Sequence, residues 1–292
     1  MNYILHIFIL ICIYIILSIS LNLISGYAGL ISVAHAAFYG IGAYVVALLA
    51  LNLGNYFLLN ILCAIILAGI LGAIIAIPSL RIHDDYFVIA TFGFQIIVFG
   101  VMNNWVSLTK GPLGIPGIPQ PALFGITISS HLQFLIFTGI FAILTFLFTK
   151  RLVNSPFGRV LKAIREDEIF ALALGKNVIK YKILVFIIGA SIASVAGCLY
   201  AWYITFIDPT SFTVQESIFI LSIVIIGGTG NLWGSVLGAV VLLTIPEILR
   251  FLGMPNAIAA NVRQILYGSL LVLFMLYRPQ GLLGEFAFKR KG

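Results

Sequence analysis

Uninterrupted apolar runs near twenty residues long recur from one end of this 292-residue chain to the other, and they decide its fold class. A helix needs about 20 such residues to cross a hydrocarbon core of about 30 Å. Backbone polar groups find no water there, so only helices or closed barrels can span. Barrel strands alternate apolar and polar residues. The runs here are continuous, as in Ile61-Leu-Cys-Ala-Ile-Ile-Leu67. The chain therefore reads as an all-α, polytopic transmembrane helical bundle, a single domain over residues 1–292. About nine spans are expected, at Tyr3–Leu23, Leu30–Leu51, Phe57–Ile77, Phe87–Val101, Leu132–Phe148, Ile183–Ile207, Ser217–Ile226, Ser235–Phe251 and Val262–Tyr277. Tyr3–Leu23 is long for a signal-peptide core and has no basic segment before it, so it reads as a retained first span.

The formal net charge of +7 would point to nucleic acid in a soluble protein. Here the basic residues collect in connections between spans, as the positive-inside rule requires, and no nucleic-acid partner is expected. With Asn154–Lys182 placed inside, only Lys110, Arg250 and Arg263 of the 16 Lys and Arg residues fall outside. This places the N-terminus outside and the C-terminus inside. Cys12, Cys63 and Cys198 lie within apolar runs and read as packing residues, without disulfide or zinc spacing.

Charged residues make up 9% of the chain, and the one long charged stretch is Asn154–Lys182. Ser155 suits an N-cap and Pro156 the first helical position. Phe157, Leu161, Ile164 and Leu172 then fall near one helical face. Arg159, Lys162 and Glu166 favour the other, with Lys162 and Glu166 paired at i, i+4. Gly175 is a stop signal. Such a helix can rest on anionic lipid or dock into a protein. The triplet Glu166-Asp167-Glu168 would be repelled by anionic lipid, which favours the protein.

On the opposite side, Met102–His131 carries Asn103, Asn104 and Trp105, then Gly111–Pro119 rich in Gly and Pro, which forbid a regular helix. A connection this long is either a surface cap or a docking surface. Gly26-Tyr-Ala-Gly29 precedes the second span and Gly227-Gly-Thr-Gly230 the eighth. Small residues follow both at four-residue spacing: Ser32, Ala36 and Gly40, then Gly234 and Gly238. This pattern serves close helix packing, or leaves unwound backbone along a substrate path. His35, Thr91, Gln95 and Glu216 are the main polar residues inside spans. Intramembrane ionisable groups are functional candidates, although a lone histidine is also compatible with a hydrogen-bonded structural role. Catalytic signals are missing. Gly227–Gly234 lacks the lysine of a phosphate loop, there is no H-E-x-x-H, and four scattered histidines make no metal site.

Several segments together are specific. They are Gly26-Tyr-Ala-Gly29, His35-Ala-Ala-Phe-Tyr-Gly-Ile-Gly-Ala-Tyr44, Asp85-Tyr-Phe87 with Thr91-Phe-Gly-Phe94, and Asn103-Asn-Trp105 with Gly111-Pro112. Gly158-Arg159 through Ala163-Ile-Arg-Glu-Asp-Glu168 to Leu174-Gly175 follows, then Gly227-Gly-Thr-Gly-Asn-Leu-Trp-Gly234 and Arg278-Pro-Gln-Gly-Leu-Leu-Gly284. Over nearly the whole chain they resemble the M-type permease subunit of bacterial branched-chain amino acid (Liv-type) ABC importers. The resemblance implies a multi-pass protein of the bacterial cytoplasmic (inner) membrane that is not itself an enzyme. It would pair with a homologous H-type permease, above two ABC ATPase subunits and below an external substrate-binding protein. This chain would carry no cofactor, with ATP and magnesium used by the ATPases.

The resemblance also assigns the central segment to coupling, with Phe157, Gly158, Arg159, Leu161, Ile164, Arg165, Glu166, Asp167, Glu168 and Gly175 as its residues. It departs from the Glu-Ala-Ala-x-x-x-Gly motif of other importers: Ile169 and Phe170 follow Glu168, and Gly175 stands seven residues on rather than six. Candidate path residues are Gly26, Gly29, His35, Tyr44, Thr91, Gln95, Gly227, Gly228 and Gly230. Asn103, Asn104 and Trp105 are candidate contacts for the binding protein. Permeases for urea and short-chain amides look similar. A self-sufficient secondary transporter or channel is the rival from another class, but no buried acid or base cluster is in view to couple an ion.

Overall fold

A computed structural model of the chain describes residues 2–52, 54, 56–80, 84–123, 126–251, 268–269, 272–274, 276–277 and 280–284. The apolar runs form helices α1 (Asn2–Ala28), α2 (His35–Asn52), α3 (Phe57–Ser79), α4 (Asp84–Asn104) and α6 (His131–Asn154), with the short α5 (Val106–Thr109) between the last two. The charged segment forms α7 (Pro156–Glu166) and α8 (Glu168–Ala173), followed by α9 (Val178–Ile204), α10 (Val214–Gly227) and α11 (Leu232–Phe251). Two-residue strands pair in the connections: β1 (Ile115–Pro116) with β4 (Phe206–Ile207), and β2 (Ala122–Leu123) with β3 (Ile126–Thr127), all antiparallel.

Among the described residues, α1, α2, α3, α4, α6 and α9 are long and apolar enough to cross a membrane. Helix α10, with 14 residues, reaches only about 21 Å at 1.5 Å per residue. It meets α11 through a bend of 119°, and the two helices turn back on each other. Among the described residues, then, six helices can span, or seven if the bent pair counts as one, and the expected total of nine is not confirmed. Ser217–Ile226 and Ser235–Phe251 are the two arms of the bent pair, and Val262–Tyr277 falls largely outside the described residues. The bend has a local cause. Gly228 and Gly230 take φ of 124° and 80°, which glycine adopts without the clash a side chain would bring.

Helix α9 is wrapped by α1, α2 and α3, and α1 also touches α6, α10 and α11. The contact of α2 with α9 is nearly backbone on backbone. A Cβ at Gly42 would collide with the Ser194 carbonyl, and one at Gly197 with the Tyr39 carbonyl. Lipid offers no hydrophobic drive to pair two helices, so close packing over small residues is what holds them. The outward faces of α3, α4 and α6 are apolar, with Ile66, Ile74, Ile89, Ile97, Ile136 and Ile143 all exposed. One end of the bundle carries α7 and α8 (the charged end). The other carries residues 105–130 and the β1–β4 pair (the loop end).

Candidate translocation path and coupling surface

At the charged end the expected single helix is two. Asp167 leaves helical geometry at φ −153° and ψ 106°, and its carboxylate accepts from the Phe170 backbone at 3.0 Å, capping α8. An aspartate that caps a helix start satisfies N–H groups a continuous helix would not free. Gly175 follows α8 at φ +73°, and the Asn177 side chain caps α9 by accepting from the Lys180 backbone. Ser155 departs from its expected role: its hydroxyl donates to the Leu152 carbonyl at 2.6 Å instead of capping α7.

The amphipathic face of α7 turns inward. Gly158, Leu161 and Ile164 are buried within the chain, and Phe157 stacks on Tyr181 with ring centroids 5.4 Å apart. The expectation that Leu161 and Ile164 form a contact face for a partner is corrected: they seat α7 on its own bundle. What lies exposed is α8 and its flanks, with Ile169, Phe170, Leu172 and Leu174 apolar and Arg159, Glu166, Asp167, Lys176 and Lys180 charged. The expected Lys162–Glu166 pair is also not formed. Lys162 sits over the Tyr27 ring at 5.6 Å, while Glu166 pairs with Arg165 at 2.7 Å. Glu168 pairs with the buried Lys182 at 2.7 Å, tying α8 to the second turn of α9.

Arg165 links this surface to the bundle. Its Nη1 donates to the Gly26 carbonyl in the last turn of α1 at 2.7 Å. A Cβ at Gly29 would lie 3.3 Å from Arg165 Cγ. Gly26 and Gly29, expected along a path, are thus gathered against α7. The free carbonyls at a helix C-terminus carry partial negative charge, so a guanidinium is a natural partner.

Past Gly29 the chain does not enter a helix at once. Residues 29–34 are non-helical, and α2 begins only at His35, whose Nε2 meets Ser20 Oγ of α1 at 2.7 Å. Ser20 is well inside α1, so α2 starts within the bundle. Its free N–H groups must be satisfied internally. Thr91 and Gln95 of α4 and Ser217 of α10 supply the acceptors. Val33 N donates to Thr91 at 3.3 Å, Ala36 N to Ser217 at 2.9 Å and Ala37 N to Gln95 Oε1 at 2.6 Å. Gln95 also accepts from Ser217 at 3.1 Å and donates to the Phe212 carbonyl at 2.8 Å. His35, Thr91 and Gln95 are therefore brought together, as three parts of one buried cap.

Gly227, Gly228 and Gly230 form the α10–α11 bend beside α1. Asn22 answers the bend with every atom of its amide. Its Oδ1 accepts from Gly230 N at 2.9 Å, and its Nδ2 donates to the Asn231 carbonyl at 2.8 Å and to Ser235 Oγ at 2.7 Å. The turn at 280–284 lies against the same bend, with Leu282 N and Leu283 N donating to the carbonyls of Ile226 and Gly227. Toward the loop end, Tyr44 is buried against Phe212, which also packs on Tyr39 at 5.1 Å. Asn104 spends its amide on the Gly100 carbonyl, whereas Trp105 and Leu113 are exposed and Asn103 is half-buried.

The family described as the permease component of the branched-chain amino acid transport system matches residues 3–275, which take in both helix breaks and the charged segment. The chain belongs to that family. This permease is 36% identical to the high-affinity branched-chain amino acid transport system permease protein LivM of Salmonella typhimurium, over 93% of its own length and 68% of that protein. It is 31% identical to a probable LivM of Methanocaldococcus jannaschii, over 93% and 90% of the two chains. Similarity to LivH of Salmonella typhimurium is lower, 29% over 93% and 91%. No solved structure matches the permease. Ser20, Asn22, Ser217 and Lys182, the partner of the expected Glu168, were outside the expected site. The signal for Asn22 lies in α1, where Ser18, Asn22 and Ser25 recur at helical spacing in an otherwise apolar run.

Proposed function

We propose that this permease is the M-type membrane subunit of an ATP-driven importer of branched-chain amino acids in a bacterial cytoplasmic membrane. An H-type permease is its partner in the membrane. Two ATPase subunits, which use ATP and magnesium, dock at the charged end, and a substrate-binding protein docks at the loop end. The charged end is cytoplasmic, with the N-terminus outside and the C-terminus inside. The contact with the ATPase runs through the exposed face of α8, led by Ile169, Phe170, Leu172 and Leu174, with Arg159, Glu166 and Asp167 orienting it. Gly158, Leu161 and Ile164 shape that surface from within, and the exposed Gly175 turns the chain at its edge. Trp105, with Asn103 and Asn104 beside it, meets the binding protein. The substrate passes the two helix breaks, where His35, Tyr44, Thr91, Gln95 and the 227–230 turn lie.

The observation that carries this reading is an apolar patch on α8 ringed by charges, clasped through Arg165 to the end of α1. Lipid has no use for such a ring, whereas a protein that moves on ATP hydrolysis would pull on that clasp. The complex of this chain, its H-type partner, the ATPases and the binding protein, reconstituted in liposomes, is expected to concentrate leucine only with ATP and only with the ATPases present. Concentrative uptake without them would refute the importer reading and favour ion coupling.

A further inference from the structure

Glu216 stands apart from the acidic residues at the charged end. Glu166 and Glu168 pair with cations there, and Asp167 caps α8. Glu216 lies in the first turn of α10 and hydrogen-bonds the hydroxyl of Tyr14, the middle of the 27-residue α1. It is therefore near the centre of the bundle. Among the described residues it has no ion pair. It is only partly buried, as is Tyr14, and its neighbour Gln215 is exposed.

A carboxylate at this depth with one hydrogen bond is costly against hydrocarbon, so this face turns to a polar path or a second protein chain. The surroundings indicate what it meets. Ser217, next to Glu216, accepts from Ala36 N in the first turn of α2 at 2.9 Å, and Tyr39 follows one turn later on the same helix. Its ring packs on Tyr200 at 5.3 Å and on Phe212 at 5.1 Å, and its hydroxyl is buried without a partner among the described residues. A carboxylate that accepts from one tyrosine, with the unpartnered hydroxyl of a second nearby, offers the acceptors that hold a primary ammonium group.

We propose that Glu216 is the ammonium-binding residue of the substrate path. It receives the amino group of a passing amino acid beside Tyr14 and Tyr39, on the face that the second permease closes. This rests on the importer reading above. It adds a place inside the membrane domain where an amino acid is distinguished from an uncharged cargo of similar shape.

The test uses the full reconstituted complex with Glu216→Gln, and with the equally sized pair Glu216→Asp and Glu216→Asn. Initial leucine uptake is measured beside ATP hydrolysis stimulated by leucine-loaded binding protein. Gln and Asn are expected to lower uptake about tenfold, the scale of one lost charge-assisted hydrogen bond. Hydrolysis falls far less, so more ATP is spent per leucine. Asp, which keeps the charge, retains most of the uptake. Three results would overturn the proposal: Gln within twofold of wild type, uptake and hydrolysis falling in proportion, or Asp and Asn equally impaired, including a shared failure to assemble. A wild-type complex with no ATP-driven leucine uptake would sink the importer reading instead.

Discussion

Arg165 is one guanidinium between α7 and α1. One nitrogen holds the Gly26 carbonyl at the end of α1 and another holds Glu166, and the side chain is 9% exposed. It therefore acts inward on the bundle rather than outward on a partner. A lysine keeps the charge but not the fork that spans both acceptors. Arg165→Ala and Arg165→Lys are both expected to leave ATPase co-purification near wild type while leucine uptake falls about tenfold, as one charge-assisted bond would dictate. Pull-down of the ATPase beside transport in liposomes checks this; loss of co-purification would make Arg165 a contact residue. Asn22 shows the same economy deeper in the bundle. A single amide holds the bend through the Gly230 N–H, the Asn231 carbonyl and the Ser235 hydroxyl, and the buried Gly230 N–H left unpaired would cost about 1–3 kcal/mol.

At the scale of elements, α7 and α8 divide the labour that one helix was expected to perform. Helix α7 is seated by Leu161 and Ile164, whereas α8 carries the exposed apolar side chains. Their substitutions should therefore fail differently. Leu161→Ala opens a cavity in the bundle and is expected to cost about 2–5 kcal/mol, read as a lowered melting temperature of the purified permease. Phe170→Ala removes a side chain that is 60% exposed and is expected to leave that melting temperature unchanged while weakening ATPase co-purification severalfold. Equal effects of the two variants on stability would show that α8 is not a free docking face. Helix α2 illustrates a second division. Its packing on α9 was foreshadowed by its small residues, but its start at His35 rests on Thr91, Gln95 and Ser217, which lie on two other helices.

For the whole molecule, the orientation proposed from the basic residues is compatible with the bent pair, because α10 and α11 turn back on each other and add no net crossing. Single cysteines in a background without Cys12, Cys63 and Cys198 check this. Lys176→Cys at the charged end is expected to react with a membrane-impermeant reagent only after the cells are opened, and Leu113→Cys at the loop end in intact cells; the reverse pattern would invert the proposed topology. Membrane class, the positions of the long helices and the charged segment were legible in the chain itself. Hydropathy and charge act residue by residue along a helix axis, and a bilayer sorts them without reference to fold. The family was legible too, since its motifs are contiguous. Span count, helix starts and exposed faces were not. A helix can begin inside a membrane only where distant side chains take up its free N–H groups. Here those side chains lie 58 and 181 residues away in sequence. Likewise, the face of α7 that a helical wheel offers to a partner is taken by the chain's own bundle, and only the packed structure decides which apolar side chains remain for anything else.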